Sequence, residues 1–275
     1  MRIDAHQHFW DLERFQYAWM PPAPSPLRRN FLPRQLEPIL TRNRFDGSVV
    51  VQAHTLLAET DWLLELAEAN AFIRGVVGWV DLADPRLGAE LDRLQRHPKF
   101  KGVRHPVHDE PDVNWLMRED VLRGLNELAR RDLPYDLLLR PPHLPLVPRI
   151  AERVPRLRMV IDHIAKPLIA AQQLDGWAQD IEAAAHTPQI WCKLSGMITE
   201  DDPHQIKAER LRPYVAHVMS CFAPERLMFG SDWPVCLNAG SWKEVLAMFT
   251  QAVGPQPLQI REKLLGSTAA EFYSL

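Results

Sequence analysis

Short apolar runs rich in β-branched residues recur along the chain, and between them lie longer stretches whose apolar residues fall three and four positions apart. The first pattern predicts buried strands and the second amphipathic helices, so their alternation reads as successive βαβ units. The runs are Arg2 to His8, Ser48 to His54, Gly75 to Asp81, Phe100 to His105, Tyr135 to Arg140, Met159 to His163, Ile190 to Ser195 and Leu227 to Asp232. That is the strand count of a closed (β/α)8 TIM-type barrel, an α/β fold. Glu59 to Asn70, with Trp62, Leu63, Leu66 and Ala67 on one face, Arg86 to Arg96 and Val121 to Arg131 are predicted crossover helices. Two segments break the alternation. Trp10 to Pro38, which contains Pro21, Pro22, Pro24 and Pro26, and His105 to Trp115 read as ordered loops folded over the barrel mouth.

No internal repeat or change of composition divides the 275 residues, so one barrel domain over residues 1–275 is expected. Charge changes the picture mainly by exclusion. With 32 Lys and Arg against 35 Asp and Glu, and no basic run, the chain lacks the footprint of a nucleic-acid binder. It has no apolar stretch of membrane-spanning length and no signal-peptide core after Met1, which predicts a cytoplasmic protein without a membrane partner. Cys192, Cys221 and Cys236 are odd in number and lack close spacing, and are expected to be reduced thiols. The oligomeric state is left open.

Polar and ionisable residues close nearly every predicted strand, and in a barrel those ends converge on the catalytic face. In Asp4-Ala5-His6-Gln7-His8, residues two apart share a side, so Asp4, His6 and His8 are expected on one face with both imidazoles at the mouth. Such imidazoles can bind a metal or donate to an oxyanion. Asp232, ending an apolar run and fixed by Trp233-Pro234, suits a general base that activates water. Of the neighbours Asp162 and His163, strand alternation allows only one to face inward, and His163 is assigned to the site.

Taken together, Ile-Asp-Ala-His-Gln-His-Phe-Trp at 3–10, Lys-Gly-Val-Arg-His at 101–105, Asp-His-x-x-Lys-Pro from Asp162, Cys-Lys-Leu-Ser-Gly at 192–196 and Gly-Ser-Asp-Trp-Pro-Val-Cys at 230–236 resemble the lactonase branch of the amidohydrolase superfamily. The resemblance is to the sugar lactonases typified by L-fuconolactonase, with the 2-pyrone-4,6-dicarboxylate lactonases more distant. It implies that His6 and His8 match the first-strand pair, His163 the sixth-strand histidine and Asp232 the eighth-strand base. Two-metal members also carry a Lys or Glu on the fourth strand and a His on the fifth. Here Arg104 and Arg140 are expected at those strand ends. Guanidinium has donors only and cannot ligate a cation. No metal is therefore expected to be strictly required, with one divalent ion such as zinc, on His6, His8 and Asp232, as the most the site would take.

Arg104 and Arg140, with His54 and Lys193 at other strand ends, are expected to bind substrate, and Trp10, Trp79 and Trp233 to offer flat faces for a sugar ring. The implied reaction is opening of a small lactone, a sugar aldonolactone such as L-fuconolactone, by water attack on the ester carbonyl. The alternatives are a metal-dependent decarboxylase of the same superfamily, which would release carbon dioxide, and a non-catalytic sugar-acid-binding barrel, which would bind without turnover.

Overall fold

The computed structural model describes residues 1–275. Eight strands run in chain order around one sheet: β1 (Ile3–Gln7), β2 (Gly47–Val51), β3 (Ile73–Gly78), β4 (Phe100–His105), β5 (Tyr135–Leu137), β6 (Met159–Ile161), β7 (Ile190–Leu194) and β8 (Leu227–Phe229). Every neighbouring pair is parallel. The sheet closes through hydrogen bonds just past β8, where Asp232 donates to the His6 carbonyl (2.8 Å) and His8 donates to the Trp233 carbonyl (2.7 Å). The helices are α1 (Pro33–Arg42), α2 (Leu57–Ala69), α3 (Leu87–Leu94), α4 (Glu119–Arg130), α5 (Leu146–Arg153), α6 (Trp177–Ala185), α7 (Ala208–Cys221), α8 (Trp242–Val253), α9 (Leu258–Glu262) and α10 (Thr268–Tyr273). None is long and apolar enough to cross a membrane. The three cysteines are unpaired.

The apolar residues fall into two layers. Ile3, Ala5, Val49, Val51, Val77, Val160 and Met228 fill the barrel interior, where Phe272 and Tyr273 of α10 join them. A larger cluster, which includes Leu63, Leu91, Leu125, Ile150 and Val215, packs the helices onto the outside of the sheet. Layers of branched side chains inside and amphipathic helices outside are what the two sequence periods require.

Several boundaries differ from expectation. The first mouth loop ends at residue 32, because Pro33 starts α1 with its missing N–H at the helix entry, where no partner is needed. The second mouth segment is not all irregular; it coils into two single 3-10 turns, Val107–Asp109 and Trp115–Met117. β5 stops at Leu137, so Arg140 lies three residues beyond the strand in the following turn. β3 likewise ends at Gly78, before Trp79 and Asp81.

The expectation that Asp4 shares a face with His6 and His8 is corrected. A register shift interrupts β1 between Asp4 and Gln7. Asp4 therefore points out toward α8, accepting from the Trp242 indole (2.8 Å) and the Ser231 backbone (2.8 Å), while His6 and His8 turn inward. Burial pushes the Asp4 carboxyl up to about 6 against those hydrogen bonds.

Candidate active site

At the C-terminal face of the barrel three imidazoles and one carboxylate come together. The Nε2 atoms of His6, His8 and His163 lie 3.8, 3.4 and 3.8 Å from Asp232 Oδ1. His6 Nε2 and His8 Nε2 are 3.2 Å apart. Two glycines permit this approach. A Cβ on Gly230 would sit 2.5 Å from the His6 Cβ, and one on Gly196, where φ is +62°, would sit 2.5 Å from His163 Nδ1.

Backbone geometry rather than strand alternation delivers two of the four groups. Asp232 adopts a left-handed φ of 57°, and His163, Ile164, Ala165 and Lys166 form a left-handed run with φ between 48° and 60°. Each such non-glycine residue costs roughly 1–2 kcal/mol. The run is held by hydrogen bonds from Lys166 N to the His163 carbonyl (2.8 Å) and from the Trp177 indole to the Ile164 carbonyl (2.7 Å). Because β6 ends at Ile161, alternation no longer applies at the next two residues, and Asp162 and His163 both enter the interior. The assignment of Asp162 to the outside is thus overturned. Its carboxylate faces Lys193 Nζ (3.0 Å), Arg104 Nη1 (3.1 Å) and His6 Nδ1 (3.3 Å).

Hydrogen bonding on the far side of each ring sets what it offers the site. His8 Nδ1 faces the Val51 carbonyl at 2.7 Å, and a carbonyl only accepts, so His8 Nε2 carries a lone pair in the neutral ring. His6 Nδ1 lies beside the Asp162 carboxylate and Lys193 Nζ (3.2 Å), His163 Nδ1 faces the Ser195 hydroxyl (2.9 Å), which can donate or accept, and the Nε2 atoms of all three rings face Asp232. Burial holds all three imidazoles below their ordinary value, hence neutral. Burial raises the Asp232 carboxyl, but its electropositive surroundings, of which the Lys166 ammonium is the charged member once the three rings are neutral, outweigh it and leave the carboxylate below its usual range. Its Oδ1 is buried with no hydrogen-bond partner in the chain.

Three of these atoms, His6 Nε2, His8 Nε2 and Asp232 Oδ1, fit one divalent cation. Two ligands held at about 2.1 Å in a tetrahedron lie about 3.4 Å apart, and the set His6, His8 and Asp232 spans 3.2 to 3.8 Å. A second ion does not fit. The other candidate trio, His6, Asp162 and His163, shares its carboxylate with two cations, Arg104 and Lys193.

A cavity of about 560 Å³ opens above this cluster, and His8, His163, Asp232, Arg104, Arg140 and His54 all reach its wall. His6 lies just behind it, fully buried. Other residues expected to bind substrate do not reach the cavity. Lys193 is 0% exposed and pairs with Asp136 (2.5 Å) and Asp162, so it belongs to the charge network beneath the floor. Trp10 is buried, with its indole bonded to the Arg29 carbonyl (2.8 Å). Trp233 packs between Phe9 and Phe31, and Trp79 donates to His105 Nδ1 (3.0 Å), so all three tryptophans are framework. Gln52, one of the polar residues at the end of the second predicted strand, carried no assigned role, yet its carbonyl and side chain hold Arg104. Lys166, His108 and Asp109 also line the cavity; Lys166 stood in the quoted Asp-His-x-x-Lys-Pro motif and the other two in the expected mouth loop.

A family profile described as Amidohydrolase matches residues 3–275. The chain belongs to the amidohydrolase family. Among its relatives, an L-fucono-1,5-lactonase of Burkholderia ambifaria is 38% identical over 281 residues, covering 100% of this chain and 96% of that protein. A crystal structure of an amidohydrolase from Burkholderia multivorans with bound zinc is 38% identical with a TM-score of 0.93, covering 100% of this chain and 99% of that one. A protein from Acinetobacter baumannii described as a probable 2-pyrone-4,6-dicarboxylic acid hydrolase, 19% identical with a TM-score of 0.84 over 100% of this chain and 99% of that one, shares the barrel fold. In this amidohydrolase barrel the three histidines and the aspartate thus stand at or just past the ends of β1, β6 and β8, with Arg104 at the end of β4 and Arg140 in the turn after β5.

Proposed function

We propose that this amidohydrolase is a lactonase that opens sugar aldonolactones, L-fucono-1,5-lactone or a close analogue foremost. The observation that carries the chemistry is the ionised Asp232, whose Oδ1 lacks any donor beside a ligand-sized cavity. The substrate class is supported by the two Burkholderia L-fucono-1,5-lactonases at 38% identity over the full chain.

In this mechanism Arg104, whose Nε–H has no partner within the chain, donates to the lactone carbonyl oxygen and draws charge onto it. Asp232 takes a proton from the attacking water as the new C–O bond forms. It then returns that proton to the ring oxygen as the ester C–O bond breaks, and the new carboxylic acid gives up its own proton to solvent and departs as a carboxylate. His6 and His8 border the Asp232 carboxylate and would hold a divalent ion with it, and His163 borders the same oxygen at 3.8 Å. Such an ion, when bound, supplies Lewis-acid polarisation of the carbonyl.

The test is proton release in weak buffer across a panel of aldonolactones, with spontaneous opening subtracted. Turnover of an L-fucono-type lactone above all others is expected. Carbon dioxide release from aromatic acids, or aldonate binding with no turnover anywhere in the panel, would replace the proposal with one of its two alternatives.

The metal is tested separately. Protein grown with zinc is expected to hold at most one equivalent per chain, and less still in His8→Gln, because only the trio of His6, His8 and Asp232 has a carboxylate that no Arg or Lys already pairs. Since Arg104 already places a positive charge beside His6 Nε2 (3.3 Å), chelation is expected to leave at least about a third of the turnover. Two equivalents, or total loss on chelation with full recovery on adding zinc, would contradict this.

A further inference from the structure

Of the nine tryptophans, one is exposed: Trp19, on the mouth loop, at 42%. It also lines the active-site cavity, where it is the one Phe, Tyr or Trp in a wall otherwise made largely of polar and charged groups. An exposed apolar side chain is ordinary by itself, but this one is held in place. Its indole N–H donates to the Ala53 carbonyl (2.8 Å), and the Trp10 and Tyr17 rings stand nearly perpendicular to it at 5.4 and 6.3 Å.

One buried carboxylate secures two of its three supports, Tyr17 and the Ala53 backbone. Glu59, 0% exposed, accepts from the Tyr17 hydroxyl (3.0 Å) and from the backbone N–H groups of Ala53 (2.9 Å) and His54 (2.8 Å). The polar edge of the indole is therefore spent on Ala53, and the surface it gives the cavity is carbon. A sugar ring carries a patch of C–H groups on its face and hydroxyls around its rim, which matches a fixed aromatic face surrounded by donors and acceptors.

We propose that Trp19 is the platform on which the sugar-lactone ring lies, with Glu59 as the positioning residue that keeps the platform in place. The assignment rests on the lactonase reading above for its substrate. It gives the stacking role to a residue on the mouth loop and not to Trp10, Trp79 or Trp233.

Because a platform contributes about equally to bound substrate and transition state, its loss falls on KM. In Trp19→Ala the KM for the preferred lactone is expected to rise roughly tenfold, the equivalent of about 1.4 kcal/mol, with kcat changed less than about threefold. Trp19→Phe retains an aromatic face and is expected to recover most of that loss. Titration with the aldonate product is expected to perturb tryptophan emission in the unaltered protein and to leave Trp19→Phe, with its other eight tryptophans, unperturbed. An unchanged KM in Trp19→Ala, or an emission change that survives in Trp19→Phe, overturns the platform. Absence of lactone turnover in the unaltered protein overturns the lactonase reading instead, and the platform is then decided by the aldonate titration alone.

Discussion

Asp232→Asn is expected to lower kcat for lactone opening by roughly 10² to 10⁴-fold, the range for loss of a general base, with little change in substrate affinity. Asn keeps the shape of the side chain and removes its capacity to accept a proton. Asn fills the same space, so folding is expected to be retained; because the fold holds the Asp232 carboxyl below its usual value, the ionised side chain adds stability at neutral pH, and the melting temperature of the variant is expected to lie slightly below that of the parent.

The pH dependence has a definite sign. A carboxyl held below its usual 3.8 is ionised throughout the neutral range, and its base form is lost only as pH falls through the lowered value. The rise of kcat/KM due to Asp232 therefore lies below about pH 4. A variant that keeps more than about a third of kcat would make Asp232 a turn residue.

Lys193→Met is expected to lower the melting temperature by about 10 °C, the consequence of about 3–5 kcal/mol lost at roughly 2–4 °C per kcal/mol for a chain of this size. Beneath the site, Arg104 and Lys193 balance Asp136 and Asp162, and all four are nearly or wholly buried. Tyr273 of α10 donates to Asp136, tying the network to the bottom of the barrel. Burial raises the Asp136 carboxyl to about 6 against the pull of Lys193 and Tyr273, whereas Lys193, His6 and Arg104 overcome burial and hold Asp162 well below its ordinary value. Removing the lysine strands one buried carboxylate. Adding Asp136→Asn to Lys193→Met removes that stranded charge and is expected to restore about half of the loss. Were Lys193 a substrate-binding group, as its place at a strand end suggested, the single change would raise KM and spare the melting temperature. Differential scanning calorimetry beside steady-state kinetics separates the two.

The barrel was legible because its strands and helices repeat simple periods. Eight apolar runs marked all eight strands, and Trp62, Leu63 and Ala67 marked the buried face of α2. What the periods could not show were the places where the backbone leaves them. The register shift in β1 separates Asp4 from His6, and the left-handed run from His163 turns both Asp162 and His163 inward. Neither has a mark in hydrophobic pattern, since each depends on contacts across the barrel.

The site was partly legible for a related reason. His6, His8, His163 and Asp232 could be picked out as chemistry at converging strand ends, and they do come together. Residue type alone could not tell a cavity wall from a buried support. Lys193 stands next to Leu194 on a strand that ends at the mouth, but two aspartates beneath the floor claim its charge. Tryptophans near the motifs proved to be framework, while Trp19, amid the prolines of the mouth loop, reaches the cavity because Glu59 anchors the loop from forty residues away.

The most direct test of water attack on a lactone carbonyl, with Asp232 as base, is a single turnover in ¹⁸O-labelled water. Enzyme in excess over L-fucono-1,5-lactone, quenched before spontaneous opening is appreciable, is predicted to yield an aldonate with one ¹⁸O in its carboxylate and none in its hydroxyls, and to leave Asp232 unlabelled. An unlabelled first-turnover aldonate with ¹⁸O in the Asp232 side chain, or no aldonate above the spontaneous background, would contradict the account.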